Sequence, residues 1–156
     1  MIASTDSYTK PEVSKPRKAF DGYETFVEIP AASIVLSAYP FMYLNQRIDK
    51  LLDEYSKLQN NWDEDDAIAP SEGVISWARY TASLLGRYGQ SIYHATPGPN
   101  GEIMLNIRNV KTEKSLEIIF YTHRSVLVEF SKEEKPVQKN FDIYNMPSYI
   151  GWLNRK

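Results

Sequence analysis

Four acids in a row, Asp63, Glu64, Asp65 and Asp66, follow Trp62 in the run from Asn61 to Ser71. Crowded carboxylates repel one another, and a hard divalent cation bound through oxygen ligands relieves that repulsion. The chemistry open to such a run is therefore cation binding and, through the cation, metal-assisted hydrolysis. Its spacing does not fit a helix-loop-helix calcium site. Counted from Asp63, the fifth ligand position falls on Ala67, the required glycine on Ile68 and the bidentate glutamate on Val74. The favoured reading is a solvated loop in which Asp63 or Asp66 bonds nearby backbone N–H groups, with the acids placed well just ahead of a helix N-terminus. No metal site is assigned to it.

The remaining chemistry-bearing residues are sparse. His94 and His123 are the only histidines, and no Ser, Asp or Glu is spaced to make a triad with either, so one reads as a strand residue and the other as a turn residue. The chain has no cysteine, which removes thiolate nucleophiles, disulfides and Cys-based metal sites. Phosphate-cradling glycine loops and the dinucleotide fingerprint do not occur. No catalytic residue and no cofactor follow from these residues, and an enzyme is the less favoured class.

Two amphipathic segments must position the acidic run. The first spans about Phe41 to Leu58, with Phe41, Leu44, Ile48, Leu51, Leu52, Tyr55 and Leu58 three and four apart on one face. The second spans about Ser71 to Tyr88, with Ser71 as N-cap, Gly89 as C-cap, and Val74, Trp77, Ala78, Thr81, Leu84, Leu85 and Tyr88 as its apolar stripe. Trp62 and Trp77 are accordingly expected as core plugs.

After Gly89 the period shortens to two. Ile103, Leu105 and Ile107, then Leu116, Ile118 and Phe120, then Val126, Val128 and Phe130 alternate with other residues, and short polar joints, one with an Asn100-Gly101 hairpin signal, make neighbours antiparallel. A further strand is expected around Val137 to Ile143, and Pro147 opens a short C-terminal helix. Because each apolar face needs the other layer, the fold class is α+β: a two-layer sandwich of two amphipathic helices on an antiparallel meander of three to five strands. On this phasing Ile119, Tyr121 and Leu127 project from the face opposite Ile118, Phe120 and Val128, and present an apolar patch.

Composition bounds the rest. A chain of 156 residues, 42% hydrophobic and with net charge −2, suits one domain and offers no general attraction for phosphate backbones or anionic lipid. Residues 1–22 read as a mobile N-terminal arm, carrying Lys10, Lys15, Arg17 and Lys18, ahead of a single domain over residues 23–156 that opens with a short strand at Tyr23 to Ile29. The apolar stretch Ile29 to Leu44 is interrupted by Pro30, Ser33, Ser37 and Pro40, which argues against a membrane span, and the N-terminus lacks the pattern of a signal peptide. A cytoplasmic location is expected.

The segment Asn61, Trp62, Asp63, Ala67, Pro70 and Ser71, the helix after it, and Pro99, Asn100, Gly101, Glu102, Ile103 and Leu105 together resemble a group of small uncharacterised bacterial proteins. In that group an Asn-Trp-Asp-Gly-x-Gly-Ala loop precedes a helix and a Pro-x-x-Gly-x-Ile-x-Leu hairpin opens a meander. The resemblance covers about residues 45 to 130, with Glu64 and Asp66 standing where the loop of the group has glycine. It implies the α+β fold and a bacterial or mobile-element origin, and it carries no activity.

The function expected from these readings is a non-catalytic protein–protein interaction factor of immunity, antitoxin-like or phage-linked type. Its interaction surface is read as Asp63, Glu64, Asp65, Asp66, Ile119, Tyr121 and Leu127, facing another protein or a second copy of the chain. The alternatives are the metal-assisted hydrolase built on residues 63–66 and nucleic-acid binding through the basic arm.

Overall fold

A computed structural model describes residues 44–156; the arm, the strand expected at Tyr23 to Ile29 and the start of the helix expected at Phe41 lie outside the described residues. Two helices come first, α1 (Gln46–Tyr55) and α2 (Glu72–Arg87). Five strands follow: β1 (Ile92–Pro97), β2 (Ile103–Asn109), β3 (Lys114–Phe120), β4 (Ser125–Phe130) and β5 (Val137–Asn140). A 3-10 turn (Ile143–Asn145) leads into α3 (Met146–Asn154). The strands pair in sequence order, every pair antiparallel, so the sheet is an uninterrupted meander.

The apolar residues of β2 and β3 meet directly across the ladder, Ile103 with Phe120, Leu105 with Ile118 and Ile107 with Leu116. Residues opposite one another share a face, so these six make the floor of the core. Ile48 and Leu52 of α1, Val74, Ile75, Ala78, Ala82 and Leu85 of α2, and Met146, Tyr149 and Leu153 of α3 complete one cluster with that floor. The three helices of the described residues therefore lie on one side of the sheet, and the short C-terminal helix joins the two expected in the roof. The two-layer α+β architecture holds.

Local signals act as the sequence predicts at the ends of α2. The Ser71 hydroxyl accepts from the N–H of Val74 at 3.4 Å, and Gly89, at φ +70, lets the N–H of Gln90 reach the carbonyl of Leu85. Pro147 stands in the first turn of α3, where its missing N–H costs nothing. Helix α1 is shorter at its end than expected: Ser56 to Leu58 leave it in a turn.

Polar clasps fix the helices to β1. The buried Asn45 side chain donates to the carbonyls of Ala82 and Gln90 and accepts from the N–H of Ile92, joining the start of α1, the end of α2 and the start of β1. Arg47 donates to the carbonyl of Tyr93, and the Tyr55 hydroxyl donates to that of Ala95 at 2.9 Å. Burial pushes the Tyr55 phenol above its ordinary value and keeps it a donor. Among the described residues β1 is an edge strand, and these bonds occupy carbonyls that would otherwise invite another strand.

Two expectations fail by a rotation. In β4 the hairpin register opposes Ile118 to Leu127 and Glu117 to Val128, so Leu127 turns into the core and Val126 and Val128 share the outer face with Ile119. Leu127 is fully buried and is no part of an exposed patch. Its neighbour on the core side, Glu129, is 8% exposed and forms an ion pair with Lys139 of β5. In α2 the buried stripe is turned toward Ile75, Ala82 and Gly86, and Trp77 stands out at 55% exposed with Tyr88 at 45%. Trp77 is not a core plug, because Val74, Ala78, Thr81 and Leu85 already fill the contact with the sheet.

Candidate functional site

The acidic run folds as a loop in which one of its four acids, Asp63, and two neighbouring Asn side chains are taken up by the backbone. One carboxylate oxygen of Asp63 accepts from the N–H groups of Asp65 at 2.9 Å and Ala67 at 3.1 Å. The Asn61 side chain accepts from Asp66 N–H and that of Asn60 from Ala69 N–H. Trp62, half-buried, lays its indole N–H toward the carbonyl of Ile68, and Ile68 N–H donates to Pro99, docking the loop on the hairpin between β1 and β2. Asn61, Glu64 and Asp66 all take left-handed backbone, at φ +66, +67 and +63. Glycine is the residue that reaches this conformation at least cost, and none of the three is glycine.

All four acids are exposed, and among the described residues no three His, Asp or Glu side chains gather closely enough to hold a metal ion. The hydrolase alternative thus finds no convergent ligand set in the loop. His94, on β1, and His123, in the turn after β3, are both exposed and lie on different elements, as a strand and a turn residue respectively.

The feature that the sequence reading missed is a groove of about 500 Å³ between α2 and the 3-10 turn, lined by Gly73, Ser76, Trp77, Tyr80, Ile143 and Tyr144. Trp77 and Tyr80 pack edge to face with ring centres 6.1 Å apart, which holds both rings in place while leaving them 55% and 58% exposed. Tyr144 faces solvent at 90%. A second, smaller depression shares Trp77 and Ile143 with the groove and is lined also by Phe141, Ser125 and Asp142. Phe141 is anchored from below, edge on to Phe120 and tilted against Tyr149 at 5.8 Å, so the floor is continuous with the core.

Asp142 shapes this second depression. Its carboxylate accepts from Tyr144 N–H at 3.0 Å and from the Asn145 side chain, capping the 3-10 turn. Among the described residues no Lys or Arg lines either stretch. The nearest basic residue of α2 in sequence, Arg79, is committed elsewhere: it reaches Asp53 at 2.6 Å and Asp49 at 3.6 Å on α1. That guanidinium holds the Asp53 carboxyl below its ordinary value, chiefly through the hydrogen bond.

Of the residues expected on an interaction surface, Asp63, Glu64, Asp65 and Asp66 are exposed, Ile119 and Tyr121 lie half-buried on the outer sheet side, and Leu127 is in the core. A sequence signal for the groove did exist: Gly73, Ser76, Trp77 and Tyr80 recur at helical spacing, but the same spacing counts Trp77 in the apolar stripe beside them. Tyr144 and Asp142 had no such signal. No family model, no curated protein and no solved structure matches the chain.

Proposed function

We propose that this chain is a non-catalytic protein-binding factor that takes its partner on the aromatic groove between α2 and the 3-10 turn. The observation that carries the reading is the side-by-side exposure of Trp77, Tyr80 and Tyr144 around one concavity. Tryptophan and tyrosine are the residues on which binding energy concentrates in protein interfaces, because they bury large area at small entropic cost. The exposed acids at 63–66 serve as a rim that steers a partner of opposite charge. An immunity, antitoxin-like or phage-linked role in a bacterial cytoplasm is the setting in which such a factor would act. Among the described residues no helix is long and apolar enough to cross a membrane.

Pull-down from native host extract, with light scattering to fix the mass of the complex, tests the reading. A protein captured by the full chain and lost from both Trp77→Ala and Tyr144→Ala is the expected result. A strict monomer that captures nothing, or captures the same proteins with and without these rings, would overturn it.

A further inference from the structure

We propose that the occupant of this groove is a cationic segment of another polypeptide, with a Lys or Arg side chain seated against the rings of Trp77, Tyr80 and Tyr144 and directed toward Asp142. The inference rests on the binding reading above and deepens it by naming the chemistry of the partner. The faces of indole and phenol rings carry negative potential, and three such rings around one concavity attract an ammonium or guanidinium group. Asp142 adds a carboxylate in the adjoining depression, which shares Trp77 and Ile143 with the groove, and its two bonds to Tyr144 and Asn145 leave acceptor capacity on both oxygens.

Charge complementarity extends beyond the lining. Glu72 adjoins Gly73 at one end of the groove and is exposed. The acidic loop is pinned to the turn between β1 and β2, which in an antiparallel meander lies at the same end of the sheet as the turn between β3 and β4 that leads into Ser125 of the adjoining depression. Arg124 of that second turn stacks on Tyr121, 4.9 Å from its ring centre. A neutral apolar segment would be served equally well by leucine-lined walls, whereas rings with one carboxylate nearby and, among the described residues, no cation in the lining discriminate in favour of positive charge.

The test uses the full chain and matched capped peptides of identical apolar content whose central residue is Lys, Arg, norleucine or Glu. Binding is followed by the indole N–H resonance of Trp77, assigned through Trp77→Phe. The Lys and Arg peptides are expected to bind at least tenfold more tightly than the norleucine and Glu peptides. Asp142→Asn, which keeps the cap on the 3-10 turn, is expected to reduce that preference several-fold without changing affinity for the norleucine peptide. Equal affinity across the four peptides overturns the inference. If that result comes with a host protein still lost from Trp77→Ala and Tyr144→Ala, the binding reading stands and only the cationic partner falls. The chain also carries basic residues of its own. Should replacing Lys10, Lys15, Arg17 and Lys18 together by Gln move the Trp77 resonance with no peptide present, the occupant is the chain itself and the assignment to another polypeptide is overturned.

Discussion

The acidic loop and the aromatic groove invert what their residues suggest. The loop concentrates charge, yet Asp63, Asn61 and Asn60 spend their oxygens on backbone N–H groups a few residues away, so much of its polarity is structural. The groove has an unremarkable sequence, yet it leaves three large rings facing solvent. The difference teaches that a conspicuous run of one residue type marks a site only if its atoms are still unspent once the backbone has been satisfied.

The comparison breaks most readily at Asp63. Asp63→Ala removes the acceptor of two backbone bonds and should cost about 1 to 2 kcal/mol in a urea melt, while Glu64→Gln and Asp65→Asn should stay within about 0.5 kcal/mol. Equal losses at all three would mean that the acids act together rather than through Asp63. On the groove side, Trp77→Ala should cost less than about 1 kcal/mol, against about 3 to 5 for a tryptophan removed from a core. A core-sized loss would restore Trp77 to the interior and empty the groove of its main ring.

A smaller effect of opposite sign sharpens the picture of the loop. Glu64→Gly should raise the unfolding free energy from a urea melt by about 0.5 kcal/mol, the relief of left-handed strain less the entropy glycine adds to the unfolded chain. Destabilisation there would show that the Glu64 side chain holds something. The smallest effect lies on the far side of α2. Because Arg79 depresses the Asp53 carboxyl in the folded state, the stabilisation is complete at neutral pH, declines as pH falls through the ordinary carboxylate range, and is gone below the depressed folded value. Carboxyl NMR should find Asp53 titrating higher in Arg79→Ala; an unchanged value would free Arg79 to serve the groove instead.

Legibility in the sequence followed locality. The cap at Ser71, the Asn100-Gly101 turn and Pro147 depend on a few neighbouring residues and appear where expected, and Gly89 ends α2 in left-handed backbone one residue past the C-cap, Tyr88. The phase of β4 did not, because Val126, Val128 and Phe130 look like an inward face in isolation and only the pairing of Ile118 with Leu127 assigns the opposite one. Strand β1 was hard to phase for a related reason: a bulge between Ile92 and His94 puts both Ile92 and Ala95 inward, three residues apart, and erases the alternation.

By itself the sequence determined the class of fold, because periods of 3.6 and 2 in apolar residues dictate which segments coil and which extend, and short joints make the strands antiparallel. It also determined where the acids sit, ahead of a capped helix. Only tertiary structure decided which side of α2 is buried, since that depends on the area of sheet available and on α3 docking beside it. The groove belongs to that second kind of decision: Trp77 and Tyr80 meet Ile143 and Tyr144 across some sixty residues of chain, and no local pattern encodes a contact made by two elements that each satisfy their own backbone first.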